Sequence, residues 1–200
     1  FLFSESIIHS SDDVLSLEPE LDADSLPLVN VVNITLRQQA SSASLQAQTA
    51  AFQRHFAVSS SCGLCGKNSI SDLLCTTPPL ASDNVRIPSS IFYTLSERLR
   101  SAQTVFQHTG GLHAAALFTL EGQLLLLRED VGRHNAVHKL VGHGLLHGLP
   151  FYHEHILLVS GRTSYEIIQK VVLARIPCIA AISAPSSLAV ELAERGGVTL

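Results

Sequence analysis

The chain contains no methionine and no tryptophan, and only 15% of its 200 residues are charged. It has no uninterrupted apolar run of about 18 residues, which excludes a membrane-spanning helix. It also has no basic run, and its formal net charge is −4, so we predict that it binds neither nucleic acid nor a membrane surface. Without an initiator methionine or a basic first segment, we expect no signal peptide and a chain that starts inside a longer protein.

Cysteine is also scarce, with four in the chain. So few cysteines do not build a disulfide framework, which favours a reducing cytoplasm. A zinc deaminase requires H-x-E together with P-C-x-x-C, but H-x-E is absent and Ser61 precedes the C-x-x-C pair, so this activity is excluded. We predict no bound metal. The spaced histidines are interpreted as surface or capping residues: His134, His138, His143 and His147.

An apolar content of 46% is enough for a sizeable core. The length predicts one domain over residues 1–200, which can include a smaller N-terminal subregion over 1–55. From the residue pattern of that subregion we predict the end of an apolar helix at 1–8, an acidic loop at 10–26, a β-branched strand at 28–36 and a low-complexity stretch at 38–53.

Strands and helices alternate through the rest of the chain. We predict a short strand at 56–59, a short helix at 68–74, a proline-containing connector at 76–88, and a helix capped by Ser89 or Ser90 that runs to about Gln103. Glu121-Gly122 indicates a hairpin between strands at 113–120 and 123–128. The remaining pattern predicts strands at 155–159, 178–182 and from 198, and helices from His134 to 146, at 163–174 and at 188–194. This order predicts a three-layer α/β/α sandwich with a mixed sheet.

A cysteine pair with a glycine after each member lies in the segment S-S-C-G-L-C-G-K. Such a pair can bind a metal, exchange disulfides or carry transferable sulfur, and the residues alone leave all three open. Cys62 and Cys65 are candidate reactive residues, because Lys67 and the predicted helix start after it both favour the nucleophilic thiolate. Cys75 and Cys178 lie in apolar surroundings and are predicted to be inert core thiols.

Three loop-to-helix junctions share one chemistry. Loops of this kind line the carboxyl edge of an α/β sheet, and helix starts present free N–H groups that attract phosphate. Arginine in two of the junctions can add bidentate contacts to phosphate. Ordinary helix capping is the alternative for each junction alone, whereas the three together predict a phosphate-bearing ligand. The candidate ligand-binding residues are Gly132, Arg133, His134, Asn135, Ser160, Gly161, Arg162, Ser183, Ala184, Ser186 and Ser187.

The segment H-T-G-G-L-H precedes an apolar strand. Two adjacent glycines indicate a tight turn, and we predict that His108, Gly110 and Gly111 support a nearby site. A hairpin entry with a buried, hydrogen-bonded histidine is the alternative.

Five sequence blocks, in order, resemble the formate dehydrogenase accessory sulfurtransferase family. They are S-S-C-G-L-C-G-K at 60–67, T-G-G-L-H-A-A-A-L-F at 109–118, E-D-V-G-R-H-N-A-V at 129–137, S-G-R-T-S-Y-E at 160–166 and S-A-P-S-S-L-A-V at 183–190. The first residues, F-L-F-S-E-S-I-I, are also similar to a family segment. The resemblance covers nearly the whole chain, and its first and last positions imply a chain truncated at both ends.

The resemblance implies a cytoplasmic, homodimeric sulfurtransferase with a fold like that of cytidine deaminases. Such a protein takes persulfide sulfur from a cysteine desulfurase and passes it to the molybdenum bis-guanine-dinucleotide cofactor of formate dehydrogenase. By motif, Cys62 becomes the persulfide carrier and Cys65 a supporting thiol. The guanine-nucleotide ligand is expected against 132–135, 160–162 and 183–187.

Two other functions remain open from the residues. One is a non-catalytic chaperone that binds the molybdenum cofactor and uses a structural or zinc-binding C-x-x-C. The other is a disulfide reductase, which is disfavoured because polar G-K-N-S follows the cysteine pair instead of a long amphipathic helix.

Overall fold

The computed structural model describes residues 1–22, 24–37, 77–81, 86–149 and 154–200. The chain divides into two compact units, Phe1–Ala57 and Val58–Leu200. Several predictions lie outside the described residues: the stretch at 38–53, the strand at 56–59, the helix at 68–74, and the roles of Cys62, Cys65, Lys67 and Cys75. Within the described part of the chain, no helix is both long enough and apolar enough to cross a bilayer.

Residues 1–8 form consecutive turns, so the predicted apolar helix is wrong. The amide of Glu5 donates to the Phe1 carbonyl at 3.1 Å, and that of Ser6 donates to the Phe3 carbonyl at 3.0 Å. Ser6 then takes a φ of 57°. A residue in this left-handed region cannot continue a right-handed helix, which explains why the apolar run stays a turn.

An antiparallel hairpin follows, with strands β1 (Val14–Leu21) and β2 (Pro27–Leu36). The prediction of β2 is confirmed. The predicted loop at 10–26 is wrong over 14–21, because β1 occupies that part of it. Proline is tolerated at Pro19 because neither strand of a two-stranded ribbon is central. The hairpin turn is held by Asp22, whose Oδ1 accepts the amides of Asp24 and Leu26, each at 2.9 Å.

The second unit contains a four-stranded sheet in the order β4-β3-β5-β6. Its strands are β3 (His113–Thr119), β4 (Leu124–Asp130), β5 (His155–Val159) and β6 (Cys178–Ala181). Strand β3 runs antiparallel to both β4 and β5, and β5 and β6 are parallel. The predicted mixed sheet is therefore confirmed, as is the hairpin at Glu121-Gly122, where Gly122 supplies a φ of 78°.

Among the described residues, five helices accompany this sheet: α1 (Ser89–Ala102), α2 (Thr104–Thr109), α3 (Arg133–Leu146), α4 (Tyr165–Leu173) and α5 (Ser187–Gly196). Helix α1 begins after Pro88 without a side-chain cap, so the predicted cap by Ser89 or Ser90 is wrong. Helix α2 was not predicted. It is short and ends at Gly110, whose φ of 66° closes the helix. The predicted glycine turn is therefore limited to Gly110 and Gly111, because His108 belongs to the helix. The strand predicted from residue 198 is only a single β-bridge, between Cys178 and Thr199.

Side-chain alternation along β3 gives the sheet two apolar faces. Ala114, Ala116 and Phe118 pack in one cluster with Leu95 and Leu99 of α1. Ala115 and Leu117 point to the opposite face, where α3 contributes the buried Val137 and Leu140. Helices therefore cover both faces of the sheet, which confirms the predicted three-layer α/β/α architecture.

Candidate functional site

One edge of the four-stranded sheet brings the predicted loops together. Strand β3 begins at this edge, and antiparallel pairing places Asp130, the last residue of β4, opposite His113. Strands β5 and β6 end at the same edge with Val159 and Ala181. Helices α3, α4 and α5 each begin within a few residues of one of these strand ends. We call the loops 132–135, 160–164 and 183–187 the helix-start rim.

Hydrogen bonds join the three loops of the helix-start rim to one another. His134 Nε2 lies 3.1 Å from Ser164 Oγ, which connects the start of α3 to that of α4. The Ser186 amide donates to the Thr163 carbonyl at 3.0 Å, and Thr163 forms a parallel bridge with Pro185. The starts of α4 and α5 are thereby connected as well, so all three helix starts form one continuous surface.

Ser160 and Gly161 form the centre of the helix-start rim. Ser160 Oγ accepts the amide of Ala114 at 2.8 Å and lies 3.3 Å from His113 Nδ1. A Cβ at Gly161 would meet the His113 ring at 3.2 Å and Arg133 Cδ at 3.4 Å. Glycine is needed here because both neighbouring side chains approach the backbone closely. Its position places Arg133 against the loop that carries Arg162.

The loop before α3 is organised by Asp130. Its Oδ1 accepts the Gly132 amide at 2.8 Å, and its Oδ2 lies 2.6 Å from Lys139 Nζ. Burial acts to raise the pKa of Asp130, but the bonds from Lys139, the Gly132 amide and Asn135 outweigh it and hold the pKa below its ordinary value. Sequence reasoning missed this role of Asp130, although aspartate two residues before glycine is typical of a side-chain-stabilised turn.

Three buried polar atoms of this region have no hydrogen-bond partner among the described residues. They are Arg133 Nε, Thr163 Oγ1 and Glu166 Oε2. Buried polar atoms are nearly always paired, because an unpaired one keeps its full desolvation cost. Thr163 is only 1% exposed, so bulk water does not relieve it. Their concentration at the starts of α3 and α4 is typical of a site that completes its hydrogen bonds with a ligand.

The two histidines of α3 that face this region are neutral. Burial lowers the pKa of His134 to about 4 and that of His138 to about 3, and the positive charge of Lys170 lowers both further. The prediction was that they are surface or capping residues; both are partly buried, so the surface alternative is wrong for these two. The cause is α4, which packs on α3 and carries the buried Lys170. In the part of the chain that the structure describes, no three His, Cys, Asp or Glu side chains form a group that could hold a metal.

A cleft of about 610 Å³ adjoins the helix-start rim at Ser160, which lines both, and the neighbouring His113 also lines the cleft. The predicted glycine turn forms one wall, through Gly110 and Gly111. His108 lies on α2 and does not line the cleft. We call this cavity the α1 cleft, because four residues of α1 and its C-cap line it: Ser96, Glu97, Arg100 and Gln103.

The predicted ligand-binding residues therefore all lie within the helix-start rim. Those exposed to solvent are Asn135, Arg162, Ser183, Ala184, Ser186 and Ser187, and those partly or fully buried are Gly132, Arg133, His134, Ser160 and Gly161. The Ser186 side chain caps α5 by accepting the Ala189 amide at 3.3 Å, so one of its acceptor positions is already used. The first-turn amides of α3 and α4 have no side-chain cap.

The chain is similar to known proteins over its whole length. The FdhD/NarQ family matches residues 1–200. The sulfur carrier protein FdhD of Nocardia farcinica is 43% identical over 203 residues, which cover 100% of this chain and 70% of that protein. The protein of the same name from Sulfurisphaera tokodaii is 44% identical over 200 residues, with 100% and 70% covered. The one from Streptomyces coelicolor is 55% identical over 152 residues, which cover 74% of this chain and 53% of that protein.

A solved structure shares the fold. The crystal structure of a protein from Desulfotalea psychrophila, described as a formate dehydrogenase accessory protein, superposes with a TM-score of 0.66. The match covers 99% of this chain and 68% of that one at 21% sequence identity. At this identity the likeness supports the mixed α/β fold and nothing finer.

Proposed function

Because the chain belongs to the FdhD/NarQ family, we propose that it is a sulfurtransferase that carries persulfide sulfur from a cysteine desulfurase to the molybdenum bis-guanine-dinucleotide cofactor of formate dehydrogenase. The relatives that match it are named sulfur carrier proteins, which supports a role in sulfur transfer. The helix-start rim is the observation that supports cofactor binding by this chain. Three helix starts converge there beside buried polar atoms that lack partners.

The helix-start rim suits the phosphates of a dinucleotide. Uncapped helix starts offer free N–H groups and the positive end of the helix dipole. Arg162 is exposed on the rim, and Arg133 presents a guanidinium whose Nε is unpaired among the described residues. Arginine binds phosphate oxygens with two parallel N–H groups. His134 is neutral near pH 7, so the positive charge of this surface comes from the arginines and the helix ends.

Sulfur enters on Cys62. Its thiolate attacks the outer sulfur of the desulfurase persulfide, a new S–S bond forms on Cys62, and the desulfurase cysteine leaves as a thiolate. In delivery, the S–S bond on Cys62 breaks and Cys62 leaves with both bond electrons. The transferred sulfur takes two electrons from the reduced metal and becomes its sulfido ligand. Cys65 acts either as a supporting thiol or by closing a disulfide on Cys62.

Sulfur loading tests the carrier role. The chain is incubated with a cysteine desulfurase and cysteine, and its intact mass is measured. We expect an adduct with the mass of one sulfur atom, which is lost in Cys62→Ala. Cys178→Ala is the matched control, because burial raises the pKa of the Cys178 thiol to about 11 and keeps it unreactive. Equal loading of Cys62→Ala and the parent would disprove the assignment. Stoichiometric zinc without an adduct would favour the cofactor-binding chaperone.

We further propose that the protein works in the cytoplasm as a homodimer. The N-terminal hairpin supports the dimer, because one of its faces exposes apolar side chains. Leu17 pairs with Ile34 across the two strands and Val32 lies on the same face, with exposures of 46%, 40% and 53%. An exposed apolar face of this kind is typical of an interface. Light scattering should give a dimer for the parent and a monomer for Leu17→Lys, whereas Glu18→Lys on the opposite face should remain dimeric. A monomeric parent would contradict this proposal.

A further inference from the structure

The starts of α4 and α5 have the same type of N-cap residue, but only one of the two helices is capped. Ser164 precedes α4 with φ −99° and ψ 169°, and Ser186 precedes α5 with φ −79° and ψ 157°. Both serines therefore have the extended backbone from which a hydroxyl caps a helix. Ser186 Oγ accepts the Ala189 amide at 3.3 Å, whereas Ser164 provides no side-chain cap to α4 among the described residues. Backbone conformation does not explain this difference.

The two serines differ in their contact with His134, which lies in the first turn of α3. His134 Nε2 is 3.1 Å from Ser164 Oγ, and this bond holds the hydroxyl in a position from which it does not cap α4. Burial lowers the pKa of His134 to about 4, so its ring is neutral near pH 7 and has one donor and one acceptor nitrogen. Either tautomer can bond a hydroxyl, which both donates and accepts. The Ser186 hydroxyl, in contrast, bonds only to its own helix among the described residues.

The start of α3 is open for a simpler reason. Its N-cap is Gly132, which has no side chain that could accept an amide. The contact between His134 and Ser164 joins the starts of α3 and α4, so two uncapped helix starts are adjacent. The first N–H groups of a helix have no intrahelical partners, and with the positive end of the helix dipole they attract an anion. One amide at the start of α5 is already occupied by Ser186.

Two buried polar atoms indicate that this pair of open helix starts is completed by a ligand. Thr163 Oγ1 and Arg133 Nε have no hydrogen-bond partner among the described residues. Each belongs to the residue immediately before one member of the His134–Ser164 contact. Thr163 is only 1% exposed, so bulk water does not satisfy its hydroxyl. The unsatisfied groups therefore lie at the two open helix starts and not at the capped start of α5.

We propose that His134 is a positioning residue that holds the Ser164 hydroxyl away from α4 and so keeps the start of α4 open for a phosphate of the ligand. The inference rests on the proposed function, which places a dinucleotide on the helix-start rim. It narrows that placement, because the phosphate binds between the starts of α3 and α4. Without His134, the Ser164 hydroxyl can rotate and cap α4 as Ser186 caps α5, and it then competes with the phosphate for the same amides.

Titration calorimetry with inorganic pyrophosphate and with guanosine diphosphate tests this role. Pyrophosphate has no base, so an effect common to both compounds belongs to the phosphates. The first variant is His134→Phe, which keeps a planar ring but cannot bond to Ser164, and His134→Leu is used if the larger ring prevents folding. We expect both compounds to bind about tenfold more weakly to this variant than to the parent. The control Glu194→Gln, an exposed carboxylate on α5, should bind like the parent.

A second substitution separates positioning from direct ligand contact and from structural support. The double variant His134→Phe/Ser164→Ala lacks the hydroxyl that competes for the α4 amides. We expect it to bind both compounds about tenfold more tightly than His134→Phe does. Its melting temperature should nevertheless be about 2–4 °C lower than that of His134→Phe, because it has lost a helix cap. If His134 only contacted the ligand or only supported the fold, removing the Ser164 hydroxyl would not recover affinity.

Two results would overturn the inference: pyrophosphate binding that His134→Phe leaves unchanged, or weakened binding that the added Ser164→Ala does not recover. Sulfur loading of the parent, measured in parallel, distinguishes this failure from that of the proposed function. If the parent binds both compounds and loads sulfur on Cys62, only the role of His134 is lost. If the parent binds neither compound, both this inference and the cofactor-binding part of the proposed function are wrong.

Discussion

Replacing Thr163 by valine should leave the fold intact and weaken ligand binding. The Thr163 hydroxyl is buried at the start of α4, with 1% of the residue exposed and no hydrogen-bond partner among the described residues. Valine has nearly the same shape, so the substitution removes a desolvated polar group and creates no cavity. Because a buried unpaired polar group costs about 1–3 kcal/mol, the free energy of unfolding should stay equal or rise by up to about that amount.

Ser160→Ala is the matched comparison, and it should change the free energy of unfolding in the opposite direction. Ser160 Oγ accepts the Ala114 amide at 2.8 Å, and Ala114 is 2% exposed. Removing this hydroxyl leaves a buried N–H without a partner and should cost about 1–3 kcal/mol. For a chain of this size, a cost of 1 kcal/mol lowers the melting temperature by about 2–4 °C. In the same thermal unfolding experiment, we therefore expect removal of the Ser160 hydroxyl to lower the melting temperature and removal of the Thr163 hydroxyl to leave it equal or raise it.

The assay is thermal unfolding with and without guanosine diphosphate. At a nucleotide concentration of about 100 times Kd, the parent should gain about 2.7 kcal/mol. If Thr163→Val binds tenfold more weakly, its gain at that concentration should fall to about 1.4 kcal/mol. A melting temperature of Thr163→Val lowered as far as that of Ser160→Ala would show that the threonine hydroxyl has a structural partner. An unchanged gain from nucleotide would remove Thr163 from the ligand site.

Two further predictions concern charge. Arg133→Ala and Arg162→Ala should each weaken guanosine diphosphate binding about tenfold, because each removes a charge-assisted hydrogen bond to phosphate. The control Arg195→Ala, at the far end of α5, should bind like the parent. Equal affinities for all three variants would show that the helix-start rim is not the phosphate site. Because the pKa values of His134 and His138 lie near 4 and 3 in the fold and near 6.5 when unfolded, the unfolded chain binds more protons below pH 6.5. The free energy of unfolding, measured in urea, should therefore be highest above pH 6.5 and fall toward pH 4, and a flat profile over this range would contradict the burial of these imidazoles.

The sequence predicted the second unit well because its local signals agree with its packing. Strands β5 and β6 are apolar runs, and each is followed by a Ser- or Gly-containing loop and an amphipathic helix. This order fixes which ends of the strands meet, so the convergence of the three loops followed from the pattern alone. The N-terminal unit gave weaker signals. In β1, Glu18 and Pro19 resemble a loop, and no residue of the strand is buried, so it has no apolar buried face to reveal it.

Contacts within the site were less accessible to sequence reasoning. Ser160 and His113 are 47 positions apart, and nothing local in either segment indicates their hydrogen bond. The burial of His138 depends on α4 packing against α3, which is a tertiary effect that helical periodicity does not specify. The α1 cleft was likewise unpredicted, because it forms only where α1, the Gly110-Gly111 turn and the start of β3 come together in the folded chain.

In the proposed function, Cys62 transfers a sulfur atom to a cofactor bound on the helix-start rim. A single-turnover transfer tests it most directly. The chain is loaded with isotopically labelled sulfur, freed of desulfurase and mixed with formate dehydrogenase whose cofactor lacks its sulfido ligand. We predict that the label leaves Cys62 and appears on the dehydrogenase cofactor in step with formate oxidation, and that Arg133→Ala slows both. Activation of the dehydrogenase by unloaded protein, or by Cys62→Ala treated identically, would contradict the account.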